Sequence, residues 1–415
     1  MSLTYDRADE VSIPDFSSPG TYAESVPHAA FAAIQQRPGL HWVPTPIANK
    51  NGGYWAVTRF EEIQAVEKNP ASFTSTFGPA FPMTNLSPDH PAVDMIMCVD
   101  PPRHNYLRRA AAKGFAPRIV KNFEPWVREI VTEAIDAIEG RDEFDFIEEF
   151  ARTIPGYVIA RVLGAPREDR EYLVKLLFDL FDAGQQTQEL AEGESGADLM
   201  TPTIEKLVAY AAEIQQVKLK DPADDMFTEL ARCVERGDIN QAEYLQWMYV
   251  MIAAGFETTH TTIGQSMRMY LEDPQVAART DSAIAEGRTE RAVDEYLRII
   301  SPVLQMARTA THDLTFAGEQ IRKDDVMVLY YTAANRDPKV FSNPDEFDPN
   351  RSETDTLSFG TGPHHCIGSH LAKLELQILW QELHARGIRL ELNGEPKRGW
   401  SNYINILTEL PVRRT

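Results

Sequence analysis

Residues 359–368 read F-G-T-G-P-H-H-C-I-G and place one cysteine, Cys366, in a loop with three glycines. Glycine is used where a backbone turns sharply or comes very close to another part of the molecule. After the cysteine, apolar residues recur at helical spacing, which predicts a helix from Cys366 to about Arg386. The residues of this apolar stripe are Leu371, Leu374, Ile378 and Leu379. The stretch therefore predicts a tight loop that delivers a cysteine to the start of a helix.

The position of Cys366 at a helix start favours a charged sulfur. A thiolate at a helix N-terminus is stabilised by free backbone N–H groups and by the positive end of the helix dipole. His364 and His365 would add positive charge beside it if they were protonated. We therefore predict that the Cys366 sulfur is an anion, pre-formed and sheltered.

Several chemistries use a cysteine sulfur, and most need more than this chain offers. A zinc site or an iron–sulfur cluster takes about four ligands, whereas the chain has three cysteines and no C-x-x-C pair. A cysteine nucleophile with His365 as its base is conceivable, but adjacent residues seldom orient base and sulfur productively. Buried structural thiols account for Cys98 and Cys233. One thiolate suffices as the axial ligand of a haem iron, which fits Cys366 best.

The ten-residue loop resembles the haem-binding signature of the cytochrome P450 monooxygenases, with every defining position present. The resemblance implies a bound haem b (iron protoporphyrin IX) with the Cys366 thiolate as the ligand of its iron. It also implies that Phe359, His364 and Gly368 contact the cofactor.

The longest helical pattern runs from Gln241 to Leu271 and contains no proline. At about 1.5 Å per residue it spans roughly 45 Å, the width of a whole domain. Its middle, residues 251–255, is apolar on every side and is predicted to be buried throughout. With short β-like runs at 303–311 and 326–332, the sequence predicts a mainly α fold with a small β component. We expect one large P450-type domain, residues 1–415, built round this helix.

Residues 253–259 of this helix read A-A-G-F-E-T-T. A glycine in mid-helix costs about 1 kcal/mol relative to alanine, and a carboxylate in an apolar helix core is costly unless it has a role. Two ordinary explanations exist: Gly255 eases helix packing, and Glu257 pairs with a distant base. Together with Thr258, these residues resemble the oxygen-activation motif of the P450 family.

The resemblance gives the acid and the alcohol separate tasks. Thr258 would hydrogen-bond the oxygen that is being activated, and Glu257 would relay protons to it. The Thr258 hydroxyl can also bond the carbonyl of Ala254, four residues earlier and next to the cofactor, and so loosen the helix locally. Peroxide-driven relatives lack this acid–alcohol pair, so its presence favours dioxygen and two electrons from a partner protein.

A haem also brings two propionate carboxylates, which need donors when they are buried. His104 and Arg108 lie four residues apart on one helix face, and Arg308 lies in an apolar strand-like run where an arginine is costly unless it is paired. By resemblance, these three residues and His364 bind the propionates.

Glu295 and Arg298 lie one helical turn apart, an arrangement that is usually a surface ion pair of little energetic value. With Arg351 they resemble the structural Glu–Arg–Arg lock of the family. We assign these three residues to stability and not to catalysis.

Residues 101–122 contain six basic residues and no acidic one, against a net charge of −21 for the chain. The basic residues are Arg103, Arg108, Arg109, Lys113, Arg118 and Lys121. Most such runs are solvated helix faces. In P450 relatives, however, this helix flanks the haem on the side where acidic ferredoxins dock. The resemblance therefore implies an iron–sulfur ferredoxin, with its reductase, as the electron donor.

The substrate is the least defined part of the prediction. Positions that line the cavity in relatives are apolar here, which suggests a hydrophobic substrate, although each could be ordinary core. These residues are Phe81, Met97, Ile252, Phe256, Val303, Leu304 and Met306. Segments such as residues 334–348 resemble bacterial terpenoid hydroxylases, so a terpenoid-like molecule is favoured over a steroid or an aromatic hydrocarbon.

The first hundred residues are rich in loops. Thr58 and Glu61 form a T-x-x-E capping box for a short helix that ends before Pro70. Residues 71–101 are irregular and contain scattered aromatic side chains, a pattern that favours a lid over an apolar site.

Composition excludes some other functions. The chain has 41 Lys and Arg against 62 Asp and Glu, the opposite of the balance expected of a nucleic-acid binder. Few cysteines, no signal-peptide pattern and no apolar run near 20 residues predict a cytoplasmic protein without a membrane anchor. A peroxide-driven peroxygenase and a non-catalytic haem-binding sensor remain the alternatives to a monooxygenase.

Overall fold

The structure is a computed structural model that describes residues 13–45, 51–186, 196–223 and 225–415. Helices dominate it, as predicted. They are α1 (His28–Gln35), α2 (Phe60–Glu67), α3 (Arg103–Ala112), α4 (Pro117–Lys121), α5 (Glu124–Ile138), α6 (Thr153–Val162), α7 (Arg170–Gln186), α8 (Gly196–Lys220), α9 (Met226–Glu235), α10 (Gln241–Glu272), α11 (Pro274–Ala285), α12 (Thr289–Ile300), α13 (Tyr331–Ala334) and α14 (Ser369–Ala385).

The strands are short and few. They are β1 (His41–Pro44), β2 (Gly53–Val57), β3 (Phe73–Thr74), β4 (Glu143–Asp145), β5 (Gln305–Ala310), β6 (Leu314–Phe316), β7 (Glu319–Ile321), β8 (Val326–Tyr330), β9 (Leu390–Leu392), β10 (Lys397–Arg398), β11 (Leu407–Glu409) and β12 (Pro411–Arg414). The mainly α fold with a small β component is therefore confirmed.

The predicted long helix is α10, and its extent is confirmed to within one residue at its C-terminal end. Its start is fixed by a capping box in which the Asn240 side chain accepts the Glu243 N–H and Glu243 accepts the Asn240 N–H. Glu243 also receives the Arg103 Nε–H of α3 at 2.8 Å. Helices α6, α8, α11, α12 and α14 all contact α10, which is the centre of the largest hydrophobic core.

The largest sheet has the strand order β1-β2-β8-β5-β3. Only the β2–β8 pair is parallel, and β5 lies antiparallel to β8 with Arg308 opposite Met327. Two further buried hydrophobic clusters contain residues of this sheet. Strand β5 thereby carries Arg308 into the protein interior, where only 3 % of the residue is exposed.

The predicted Glu–Arg–Arg lock is confirmed. Arg298 of α12 donates to both carboxylate oxygens of Glu295 at 2.8 Å, and Arg351 Nε lies 3.0 Å from Glu295 Oε1. Arg298 also donates to the carbonyls of Asn335 and Pro344 at 2.8 and 2.7 Å. Because all three charged side chains are buried, this cluster ties α12 to residues 335–351 far more tightly than a surface pair would.

The predicted capping box at Thr58 is wrong. Helix α2 begins at Phe60 with Arg59 as its N-cap, and no side-chain cap forms there. Instead, the carboxylate of Asp337 accepts the Phe60 N–H at 3.0 Å. A backbone N–H group of the first turn thus finds its hydrogen-bond acceptor on a residue 277 positions away, and the helix begins without the predicted local cap.

Candidate active site

Cys366 lies between a 3₁₀ turn, Gly362–His364, and helix α14. Its backbone N–H donates to the Phe359 carbonyl at 2.9 Å, which closes the loop. The helix begins at Ser369 and not at Cys366, so the predicted start is three residues too early. The predicted interaction between helix N–H groups and the sulfur is nevertheless present. The backbone N–H groups of Gly368 and Ser369 point at the Cys366 sulfur and lower the pKa of its thiol.

The prediction of a pre-formed anion at Cys366 is not borne out. Burial raises the pKa of the Cys366 thiol by more than the backbone N–H groups and Arg108 lower it. Neither neighbouring imidazole supplies the expected positive charge: burial lowers the pKa of His364 to about 2 and also lowers the pKa of His365. The pKa of the free thiol is therefore raised and not lowered, contrary to the prediction from the loop alone.

Two glycines of the loop adopt conformations that other residues avoid. Gly360 and Gly362 have φ of +63° and +65°. A Cβ on Gly362 would lie 2.6 Å from the backbone carbonyl oxygen of Glu67, at the end of α2. The prediction of sharp turning and close approach is confirmed at these two positions and is wrong at Gly368, which has an ordinary φ of −84° and room for a Cβ.

The predicted bond within α10 is present. Thr258 Oγ1 donates to the Ala254 carbonyl at 2.7 Å, although the helix continues without a break through this turn. Ala254 itself is exposed, while Ile252 and Phe256 on either side are almost fully buried. The prediction that residues 251–255 are buried throughout is therefore wrong: Ala254 is exposed, and Ala253 and Gly255 are only partly buried. An exposed alanine in the middle of the central helix indicates that this face borders an internal space.

Gly255 and Glu257 have different explanations. A Cβ on Gly255 would lie 2.7 Å from Ile159 of α6, so this glycine permits close helix packing, the more ordinary of the two explanations. Glu257 forms no ion pair or hydrogen bond with another described residue, so the distant base is absent from that part of the chain. Burial raises the pKa of the Glu257 carboxyl to about 7. Glu257 can therefore both hold and release a proton near neutral pH.

Two tyrosines near Glu257 were not singled out from the sequence. The carboxyl of Glu257 raises the pKa of both Tyr249 and Tyr403, in addition to the larger effect of burial, so the three groups lie near one another. Tyr249 lies two turns before Glu257 on α10, and Tyr403 OH donates to the sulfur of Met306 at 3.9 Å. Spacing along α10 could have indicated Tyr249, but Tyr403 reaches this place only through the tertiary fold.

The four residues predicted to bind propionates come together in the structure. The rings of His104 and His364 lie 4.2 Å apart between centroids. Arg308 and Arg108 both lower the pKa of His364, and Arg108 also acts on the Cys366 thiol. Residues from α3, β5 and the cysteine loop therefore converge on one side of Cys366.

Arg308 is already paired. Its Nη2 lies 3.3 Å from Glu67 Oε1, and its Nη1 donates to the Ala307 carbonyl at 2.7 Å. Glu67 is the last residue of α2, and its sequence context gave no reason to separate it from a surface acid. Its partners lie more than 240 positions away, so no local signal could have identified it.

Ser75 and Asp100 also join this cluster. Ser75 Oγ lies 3.2 Å from His364 Nε2 and 2.8 Å from Asp100 Oδ1. The backbone carbonyl of Asp100 accepts the His104 N–H at 3.0 Å. This small network connects the two histidines of the site through the irregular segment 71–101, which the sequence indicated only as a lid.

Comparison with known proteins identifies the family. The sequence profile of the cytochrome P450 family matches residues 203–383. The Steroid C26-monooxygenase of Mycobacterium tuberculosis is 30 % identical over 94 % of this chain and 90 % of its own length. Cytochrome P450-terp of a Pseudomonas species is 30 % identical over 91 % and 93 %. The chain belongs to the cytochrome P450 family. The crystal structure of CYP108D1 from Novosphingobium aromaticivorans has the same fold, with a TM-score of 0.81 and 27 % identity over 97 % of this chain and 99 % of that one.

Membership establishes the class of chemistry and the cofactor. Cytochromes P450 are haem-thiolate monooxygenases, so the chain is a monooxygenase of a family that holds haem b through a cysteine sulfur. No helix in the described part of the chain is both long and apolar enough to cross a bilayer.

The residues of this P450 fit a haem. Cys366, just before α14, and Ala254, in the middle of α10, are both exposed, so the described residues leave room beside each of them. His104 Nε2 is buried without a hydrogen-bond partner among the described residues, as expected of an atom that awaits a carboxylate. Coordination to a metal ion deprotonates a thiol outright, which removes the difficulty that burial creates at Cys366.

The residues predicted to line the substrate cavity are less accessible than Ala254. Met97, Val303 and Met306 are partly buried, whereas the other four are almost fully buried. The buried four are Phe81, Ile252, Phe256 and Leu304. The Phe256 ring packs on Phe178 and Phe181. The assignment of these seven residues to the substrate stays a prediction.

The basic segment is divided in the structure. Arg103 pairs with Glu243, and Arg108 is partly buried beside Cys366. Arg109, Arg118 and Lys121 are exposed and form no ion pair with another described residue. The side chain of Lys113 lies outside the described residues. We call Arg109, Arg118 and Lys121 the basic surface.

Proposed function

We propose that this P450 hydroxylates a hydrophobic, terpenoid-like small molecule with dioxygen and two electrons from an iron–sulfur ferredoxin and its reductase. The single observation that supports this most strongly is Glu257 in the centre of α10, an acid that has no cationic partner among the described residues and whose pKa is raised to about 7. Such a group suits proton delivery at neutral pH, which reductive activation of dioxygen requires.

The cofactor contacts follow from the cluster at Cys366. Cys366 would ligate the iron, with the Gly368 and Ser369 N–H groups directed at its sulfur. Arg108, Arg308, His104 and His364 would donate to the propionates, while Ala254, Phe359 and Gly368 would contact the ring. When bound, the haem supplies the redox chemistry that activates dioxygen.

Proton delivery falls to Glu257 and Thr258. In the structure the Thr258 hydroxyl donates to the Ala254 carbonyl. During the reaction it would instead direct its proton towards the exposed face of α10 at Ala254. Glu257 would take up a proton and pass it inwards, since its pKa leaves both protonation states populated near pH 7.

The substrate proposal rests on the apolar residues around this space. Met97, Val303 and Met306 are partly buried hydrophobic side chains that pack beside the cores. One relative is named for the C26 position of steroids and another P450-terp, so relatives of equal identity carry different substrate names. The phenols of Tyr249 and Tyr403 near Glu257 suit a substrate with one polar group on an apolar skeleton, such as a terpene alcohol.

Product analysis tests the proposal. The purified holoenzyme, a ferredoxin, its reductase and NADH are incubated with α-terpineol, limonene, testosterone or naphthalene. We expect NADH consumption and a hydroxylated product with a terpenoid. Turnover driven by peroxide but not by ferredoxin would contradict the electron donor, and a hydroxylated steroid or arene without any terpenoid product would contradict the substrate class.

Thr258→Ala tests the proton pathway. We expect product formed per NADH to fall at least about tenfold, because a positioned acid–base group contributes about 10²-fold or more. Thr262→Ala is the matched control, since Thr262 Oγ1 also donates to a carbonyl four residues earlier, that of Thr258, at 2.7 Å but one turn further along the helix. Equal coupling in the wild type and in Thr258→Ala would contradict the assignment.

A further inference from the structure

Glu67 is a buried acid with three hydrogen-bond donors from different parts of the chain. Its side chain is 1 % exposed. Oε1 accepts from Tyr331 OH at 2.6 Å and from Arg308 Nη2 at 3.3 Å, and Oε2 accepts from the Thr361 N–H at 2.9 Å. A buried carboxylate is stable only when its partners offset the free energy lost on desolvation. None of the three partners of Glu67 belongs to α2.

The position of Glu67 links two parts of the proposed haem site. Arg308 belongs to β5 and reaches the propionate cluster, whereas Thr361 belongs to the loop that carries Cys366. The close approach of Gly362 to the Glu67 carbonyl shows that the loop backbone rests directly on the end of α2. One carboxylate therefore touches both the predicted propionate donor and the loop of the predicted iron ligand.

Glu67 also changes the charge of the site. Burial raises the pKa of the Glu67 carboxyl, whereas Arg308, the Tyr331 hydroxyl and the Thr361 N–H favour its ionised form. The ion pair with Arg308 offsets positive charge at the site, so loss of the Glu67 charge would leave Arg308 uncompensated. Arg308 uses two N–H groups on Ala307 and Glu67, and a guanidinium has five, so it can still bind a propionate.

We propose that Glu67 is a positioning residue for the haem of this P450, which orients Arg308, holds the loop before Cys366 and lowers the reduction potential of the bound haem. The proposal rests on the proposed haem site. A negative charge near a redox centre in a medium of low dielectric disfavours the form that carries the additional electron.

Glu67→Gln tests this directly, because it removes the charge with little change in shape. We expect the midpoint potential of the haem to shift to more positive values. We also expect haem transfer to apomyoglobin to become about tenfold faster, because the variant weakens the charge-assisted hydrogen bonds that hold Arg308 and the loop. Glu62→Gln is the matched control: Glu62 lies on the same helix and pairs with Arg59 at 2.8 Å, away from the site.

Glu67→Asp separates the effect of the negative charge from the effect of side-chain length. It keeps the negative charge but shortens the side chain, so we expect a potential close to that of the wild type together with faster haem transfer. If Glu67→Gln yields no folded holoprotein, wild-type haem transfer in Glu67→Asp overturns the proposal. A lower melting temperature of Glu67→Gln with an unchanged potential also overturns it, because that is the result of a merely structural role.

The wild-type spectrum distinguishes this inference from the proposed function. If reduced wild-type holoprotein with carbon monoxide lacks the red-shifted band of a thiolate-bound haem, the haem site itself is wrong. If that band is present and the Glu67→Gln potential equals those of the wild type and of Glu62→Gln, only the role of Glu67 is wrong.

Discussion

Glu257 and Cys366 are two acids on which burial acts in the same direction. Burial raises the pKa of both, and at Cys366 it outweighs the opposing backbone N–H groups and Arg108. The sequence predicted the local bond from Thr258 to Ala254, which the structure contains. It could not predict the sign of the pKa shift at Cys366, because desolvation depends on the surrounding fold, nor the part that Glu67 plays, because its partners are distant in sequence.

Glu257→Gln is expected to change how stability depends on pH. The pKa of Glu257 is raised from 4.5 to about 7 in the folded protein, so only the unfolded chain ionises between these values. The wild type therefore loses stability as pH rises from about 4.5 to about 7, by up to about 3 kcal/mol, and the amide variant does not. Urea denaturation at pH 4.5 to 8 measures the free energy of unfolding of both proteins. The value for the variant minus the value for the wild type should increase as the pH rises.

A second glutamine variant on α10 controls this measurement. Glu272→Gln removes an acid at the exposed end of the same helix and reports the pH dependence with Glu257 intact. A difference between Glu257→Gln and wild type that stays constant from pH 4.5 to 8 would show that Glu257 is not held protonated by burial.

Helices α10 and α14 show which element boundaries local sequence determines. The limits of α10 were predicted almost fully, since its capping box and apolar pattern are local. The start of α14 was placed three residues early, because residues 362–364 form a separate turn and the sulfur of Cys366 receives the first N–H groups of the helix. The start of α2 depends on Asp337, which no local pattern contains.

Arg298→Met is expected to destabilise the junction between α12 and residues 335–351. Arg298 is fully buried, and its loss leaves Arg351 as the remaining cationic partner of Glu295 and removes the Arg298 donor from the carbonyls of Asn335 and Pro344. Breaking a buried ion pair costs about 3–5 kcal/mol. Arg389→Met is the control, because its pair with Asp281 is exposed and a surface pair is worth about 1 kcal/mol or less. Equal changes in the free energy of unfolding for both variants, measured by denaturant titration, would contradict the assigned lock.

At the scale of the whole molecule, the fold could be predicted from the sequence more fully than the distribution of exposed charge. The mainly α fold round one central helix was predicted from helical periodicity and is confirmed. We propose that residues 1–415 form one domain, since the helices that contact α10 come from residues 153–385. The basic surface could be predicted only as a run of charges, because which of them are exposed depends on Glu243 and on the burial of Arg108.

Charge reversal on the basic surface is expected to slow reduction by a ferredoxin. In a chain of net charge −21, the pair Arg109→Glu and Lys121→Glu replaces local attraction of an acidic partner with repulsion. We expect the reduction rate at low salt, measured by stopped flow, to fall about tenfold and to approach that of the wild type at high salt. Lys206→Glu, on the exposed face of α8, is the control. Equal rates at low salt for the double variant and the control would contradict docking at this surface.

The central claim is that Cys366 ligates a haem iron through its sulfur, and the carbonyl spectrum of the reduced protein tests it most directly. We expect wild-type holoprotein to show the red-shifted absorption band of a thiolate-bound haem with carbon monoxide. Cys366→Ala should lose that band, whereas Cys233→Ala, which removes a buried thiol elsewhere in the chain, should keep it. A full red-shifted band in Cys366→Ala would contradict the account.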